Sequence, residues 1–185
     1  MPAGVQSAGP ALAIRRATLS DLRDIVIIEH DSFPSPWPAW SLRQEMSRQD
    51  SIFLVAVSAG RVLGYIGMHA AAGLGHVGTL AVGSAHRQRG IGEALMLAAL
   101  QLGIEAGLES VVLEYRVSNT RAGNLYQKLG FVPTRIRRGY YSDTQEDAVE
   151  TLLSGLQEPS VQEHLTSLRL IWQDKHGREL PRPQD

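Results

Sequence analysis

A chain of 185 residues with 43% hydrophobic content is long enough to bury one real core, so a single globular domain is expected. Its formal net charge of −1 argues against a bulk nucleic-acid binder or a membrane-surface protein, although a local basic patch remains compatible with it. The lack of cysteine removes disulfides, thiolate metal sites and a cysteine nucleophile together.

Lysine occurs only at Lys128 and Lys175, and the resulting arginine skew fits a GC-rich bacterial genome. No basic-then-apolar leader opens the chain and no apolar run is long enough to span a bilayer, so a cytoplasmic protein is expected.

Residues 1–10 are small, uncharged and Gly/Pro-bearing, the composition of a disordered tail. Ala11 to Ala17 reads as a first strand. Ser20 looks like an N-cap, with Asp21 and Asp24 in a first turn that favours negative charge, for a helix running to about His30. Three prolines within Asp31–Pro38 exclude regular structure there. That loop carries Phe33 and Trp37, which either plug the core or wall a groove. A short helix over Ser41–Ser47 follows. Ile52–Ser58 and Arg61–Ala71 form a hairpin around Ser58-Ala59-Gly60, and His76–Val82 reads as a buried central strand.

Ile91, Leu95, Ala98 and Leu102 then fall on one face of a helix ending near Gly107. Ser110–Tyr115 is another buried strand. Asn119-Thr120-Arg121 opens a helix closed by Gly130, and Phe131–Gly139 and Ala148–Leu153 are the last two strands. Beyond Ser154 the character changes. Ser160-Val161-Gln162-Glu163 is a capping-box pattern, and Val161, Leu165, Leu168 and Trp172 make an apolar helical stripe. This added helix covers either the domain itself or a second copy. The order β-α-α-β-β-β-α-β-α-β-β predicts an α/β fold (α+β mixed sheet) of about seven strands flanked by helices, spanning residues 11–154, with a helical extension over 155–185.

The most informative stretch is His86-Arg87-Gln88-Arg89-Gly90-Ile91-Gly92, a basic, glycine-rich turn between the central strand and a helix N-terminus. Free N–H groups and the helix dipole make such a terminus an anion site. Gly90 and Gly92 leave room for a phosphate, while Arg87 and Arg89 add charge, so a pyrophosphate is the natural guest. The spacing is neither that of a dinucleotide fold nor that of a P-loop.

The element order, Arg87–Gly92 and Leu129-Gly130-Phe131 resemble the GNAT acyltransferase superfamily. Leu113-Glu114-Tyr115-Arg116-Val117-Ser118-Asn119, Asn124-Leu125-Tyr126 and Arg137-Arg138-Gly139-Tyr140-Tyr141 are similar to its RimI-type branch, as are Glu146-Asp147-Ala148 and Pro36-Trp37. The resemblance spans about Ile14 to Leu153. It implies acetyl-CoA as donor, with the pyrophosphate on the amides of Gln88 to Glu93. The pantetheine would lie along Leu80, Ala81 and Val82, where an amide near Val82 would act as an oxyanion hole, and Asn119 would lie near the cofactor. It implies Glu114 as the base and Tyr126 as the acid toward the leaving thiolate.

It also implies Phe33, Trp37, Tyr140 and Tyr141 as the lining of a peptide groove. The acceptor would be a protein N-terminus, the alanine of a small-subunit ribosomal protein in particular, with no nucleic acid or membrane partner and a monomer or weak homodimer. Transfer to lysine or small amines, and a non-catalytic CoA-binding role, are the alternatives. From the residues alone Glu114 could instead pair with Arg116 or Arg121, and Tyr126 could be a core aromatic. The six histidines show no ligand spacing, so no metal is expected. Gly83-Ser84, Glu93 and Gly123 depart from the family pattern.

Overall fold

The computed structural model describes residues 11–183, so the tail expected at 1–10 lies outside the described residues. One seven-stranded sheet carries the chain. Its strands are β1 (Ala13–Arg16), β2 (Ser51–Ser58), β3 (Arg61–Ala71), β4 (Leu74–Val82), β5 (Ser110–Arg116), β6 (Val132–Tyr141) and β7 (Glu146–Ser154), in the order β1-β2-β3-β4-β5-β7-β6. Every neighbouring pair is antiparallel except β4–β5, whose crossover is the helix α3 (Ile91–Glu105). Helices α1 (Leu22–Ser32) and α2 (Ala39–Met46) cover one face. The other holds α3, α4 (Thr120–Lys128) and α5 (Pro159–His176).

The strand period divides the core. On β2, Ile52, Leu54 and Ala56 face α3, while Phe53 and Val55 face α1 and α2. A sheet buried on both faces needs apolar residues at both parities, which is why β2 reads as a continuous run. The α3 helix is apolar nearly all round because it is wedged between the sheet and α5. The question left by sequence, which surface α5 covers, is answered by Leu165, Leu168 and Trp172: all three sit in this chain's own core.

Several boundaries move for local reasons. Ser20 is not the cap at the first helix. Asp21 is, and ahead of it Thr18 caps a single 3-10 turn, its amide donating to Asp21 Oδ2 at 2.8 Å. The second helix starts earlier, at Ala39, because Pro38 supplies an extended N-cap backbone. Ser160 is likewise displaced as a cap by Pro159, whose fixed φ suits the first helical position. The β6–β7 strands run longer than expected, to Tyr141 and from Glu146. Gly123 sits within α4 because a Cβ there would come 3.0 Å from the Tyr115 ring. Among the described residues no helix is long and apolar enough to cross a membrane.

Candidate active site

The site begins where the parallel pairing fails. Strands β4 and β5 pair from Leu74↔Ser110 to Val77↔Leu113 and no further. At that point β4 carries a bulge: Gly67 pairs with Thr79 and Met68 with Val77, leaving Gly78 unopposed. A bulge bends and twists its strand. Beyond it, β4 continues to Val82 on β3 alone and β5 to Arg116 on β7 alone, so a cleft opens between them.

The cleft holds three connected cavities. One, of about 430 Å³, is lined by Phe33, Leu80, Ala81, Val82, Gln88, Gly90, Ile91, Gly92, Glu93, Asn119, Arg121 and Tyr126. The central one, about 440 Å³, shares Phe33, Leu80, Asn119 and Tyr126 with it and adds Glu29, Trp37, Glu114, Tyr140 and Tyr141. A third, about 370 Å³, continues past Trp37, Glu114 and Tyr140 to His76, His69 and Glu45. The three share lining residues in turn and trace one groove along the cleft, with Glu114 and Tyr126 both bordering the central cavity.

At the first end, Gln88 and Gly90 both take positive φ (63° and 75°), an alternation that turns successive amides to one side as α3 begins. That is a concave set of donors at a helix N-terminus, which fits a pyrophosphate. Arg87 lines this cavity, as the sequence expectation has it, and is also tied to the protein around it. Arg87 donates from Nε to the Val82 carbonyl at 2.8 Å and from Nη2 to Ser32 Oγ at 3.0 Å, so it ties the turn to α1. Arg89 does not line the cavity; Arg121, from α4, does. Glu93 lines the same cavity and is paired with Lys128. The Gly83-Ser84 departure is compensated too, since the Ser84 amide donates to Asp31 Oδ2 at 2.8 Å. That amide is the main reason the Asp31 carboxyl is held below the usual carboxylate range.

At the centre, Glu114 is 8% exposed and both of its oxygens are occupied. One meets His76 Nε2 at 2.7 Å, the other accepts from Arg137 Nη1 at 2.9 Å. His76 is far more open, at 45%. The parallel register opposes His76 to Val112, which puts His76 and Glu114 on the same face. Arg137 also approaches Glu150 at 3.6 Å and lies 4.5 Å from the Tyr140 ring centre. It offsets the like charges of Glu114 and Glu150, which stand opposite one another on β5 and β7. Tyr126 is buried among Tyr115 and Phe131, and that burial drives its hydroxyl's pKa upward. Tyr141 is pushed up to about 12, chiefly by burial, with the Arg116 guanidinium 3.9 Å from its ring centre partly opposing the shift.

A family profile described as Acetyltransferase (GNAT) family matches residues 21–131. The chain belongs to the GNAT acetyltransferases. Among curated proteins it is 34% identical over 151 residues to an N-alpha-acetyltransferase of Sulfurisphaera tokodaii, covering 75% of this chain and 90% of that one. It is also 34% identical over 138 residues to the putative [ribosomal protein bS18]-alanine N-acetyltransferase of Bacillus subtilis, covering 74% and 91%. The crystal structure of the ribosomal-protein-S18-alanine N-acetyltransferase from Escherichia coli superposes with a TM-score of 0.74 at 24% identity, over 78% of this chain and 94% of that chain. Relatives thus come from archaea and bacteria alike.

In this GNAT enzyme, Phe33, Trp37, Tyr140 and Tyr141 all reach the groove, so the two readings of the Pro-rich loop merge: Phe33 and Trp37 pack on the core below α1 and wall the groove above it. Asn119 caps α4, its side-chain oxygen accepting from the Ala122 amide at 3.1 Å, and it borders both the first and the central cavity. Sequence reasoning missed His76, Arg121 and Glu29. Glu29 is 1% exposed, accepts the Trp37 amide at 2.8 Å and the Tyr65 hydroxyl, and borders the central cavity; burial raises its pKa. Only the β4–β5 register could have paired His76 with Glu114.

Proposed function

We propose that this acetyltransferase moves an acetyl group from acetyl-CoA to the N-terminal α-amino group of a protein, by direct attack with both substrates bound. The observation that carries the reading is the run of three cavities along the cleft. A donor end with helix N-terminal amides leads to Glu114 and Tyr126, and an acceptor end opens beneath Trp37, Tyr140 and Tyr141. An extended peptide can enter by that second mouth with its amine leading. The name of the B. subtilis relative supports the N-terminal alanine of a small-subunit ribosomal protein as the first acceptor to try.

Bound acetyl-CoA would supply the activated thioester; the amides of Gln88 to Glu93, Asn119 and the open edge of Leu80–Val82 would hold it. An α-amino group titrates near 8, so a mild base suffices. With the donor bound, the amine nitrogen would bond to the acetyl carbon as the C–S bond breaks, and a Glu114 oxygen would take the amine proton. With its own proton on Nδ1, His76 would take the transferred proton at Nε2, 2.7 Å from the carboxylate, and release the one on Nδ1 to water. Tyr126 donates its hydroxyl proton to the departing sulfur and regains one from solvent; its buried phenol stays protonated until then. An amide at Leu80–Val82 facing the carbonyl oxygen as charge develops is worth ~3 kcal/mol of barrier.

The test is CoA release from acetyl-CoA with short peptides beginning Ala, Ser, Gly or Met, an N-blocked lysine peptide and a polyamine, with the acetyl group located by mass spectrometry. N-terminal transfer, strongest on Ala, is expected. Transfer only to lysine or the polyamine overturns the acceptor, and donor binding without any transfer overturns the enzyme reading.

A further inference from the structure

Gly90 reads in the sequence as room for a phosphate, but the space beside it is filled by the protein. A Cβ at Gly90 would lie 2.5 Å from His176 Nε2 and 2.7 Å from Trp172 Nε1, both on the far α5 helix. At Gly92, by contrast, a Cβ would meet only Val82, at 3.7 Å. The Trp172 indole N–H donates to the Gly90 carbonyl at 2.9 Å, the same oxygen that accepts the Ala94 amide at 2.9 Å. Trp172 is 1% exposed. His176 stacks on it with centroids 4.2 Å apart, its Nδ1 on the Trp172 carbonyl at 2.7 Å. Arg169 binds the Leu180 carbonyl at 2.7 Å and so folds the following tail back onto α5.

The consequence follows from amide planarity. The Gly90 carbonyl and the Ile91 N–H belong to one rigid peptide unit and point in opposite directions. Two donors on the carbonyl therefore fix where the Ile91 N–H aims, and Ile91 lines the donor end of the groove. We propose that α5 is a working part of the donor site: Trp172, braced by His176, positions the Gly90–Ile91 peptide for the pyrophosphate of acetyl-CoA. This rests on the donor assignment above and adds to it a helix that lies beyond the residues matching the family profile. Trp172 touches no substrate; it is a positioning residue.

The experiment compares two donors, acetyl-CoA and S-acetylpantetheine, which lacks the pyrophosphate. Trp172→Phe keeps an aromatic ring and removes the N–H. Losing one hydrogen bond predicts that kcat/KM with acetyl-CoA falls about fivefold, through KM, while kcat/KM with S-acetylpantetheine falls less than twofold. His176→Ala, at a half-buried position the fold tolerates, should act in the same sense by about threefold. Leu170→Ala, at an exposed α5 position that touches neither Gly90 nor the core, should leave the ratio between donors at the wild-type value. Equal losses with both donors, or a wild-type KM for acetyl-CoA in both variants, overturn the proposal. Calorimetry on the wild-type protein separates the two levels: no acetyl-CoA binding there removes the donor assignment itself and the α5 role with it.

Discussion

If the amine proton leaves through Glu114 and His76 in series, the two residues form one route and their losses cannot add. Glu114 is enclosed, with 2.7 Å to His76 and 2.9 Å to Arg137, and His76 borders the acceptor mouth beside it with its ring half in water. Glu114→Gln removes the acceptor of the proton. General-base catalysis contributes about 10² or more, so kcat should fall ~100-fold, or about 2.7 kcal/mol at 1.36 kcal/mol per decade. His76→Gln keeps a group able to hydrogen-bond the carboxylate but cannot titrate; it forces the proton to leave by a slower path, a loss of ~10-fold or about 1.4 kcal/mol. In series, the double variant should sit near Glu114→Gln, about 100-fold down. Independent roles would place it near 1,000-fold, giving no coupling energy in the cycle. The assay is steady-state kcat with saturating acetyl-CoA and an N-terminal Ala peptide from pH 6 to 9. A wild-type rate in His76→Gln, or additive losses, would refute the relay.

Four further outcomes follow from the same geometry. Tyr126→Phe should lower kcat by ~10–100-fold while calorimetry shows acetyl-CoA binding within twofold of wild type, because the ring packing is retained and only the proton donor is lost. Lys128→Ala releases the Glu93 carboxylate beside the phosphate turn and should raise the KM for acetyl-CoA about threefold; adding Glu93→Gln should restore it. Asp21 is held below the ordinary carboxylate range, first by the bidentate Arg15 guanidinium, so its stabilisation is complete above about pH 4 and is lost as pH falls through the depressed value. Asp21→Asn should therefore cost about 2 kcal/mol by urea unfolding at pH 7, with the deficit shrinking at pH 3. Glu29 has the opposite sign: burial raises its pKa, so its favourable contribution is present below the ordinary carboxylate range and declines as pH climbs through the raised value. Glu29→Gln should remove that decline from the Tm–pH curve.

What the sequence made legible divides along a physical line. Local signals worked. The glycine-rich turn, the α3 stripe, the loop prolines and the α5 stripe each act within a dozen residues, and each element stands within a few residues of its expected place. Side-chain partnerships across the sheet were not legible, because they depend on strand order. Arg116 and Arg121 seemed the natural partners for Glu114 because they are near it in the chain. In the fold, Arg116 is taken by Asp143 and Glu146, and Arg121 faces the donor end. The partner is Arg137, which arrives because the sheet runs β5-β7-β6 and the register sets Arg116 and Arg137 both opposite Ala148.

Gly90 is the sharpest instance of the same divide. In the sequence it reads as room for a phosphate, yet the space beside it is occupied by a helix 82 residues later. A phosphate needs amides aimed at it, and a turn of residues at positive φ, free on one side, would leave those amides loosely aimed. Holding the turn from behind, through a carbonyl that shares a rigid plane with the amide in front, stiffens the donor site without placing any side chain in the cofactor's way. The same glycine then answers to two constraints. A bulkier residue there fails against α5 before any ligand arrives, so loss of donor binding in Gly90→Ala does not by itself locate the phosphate. Trp172→Phe does, because it changes the support and leaves the turn's own sequence intact.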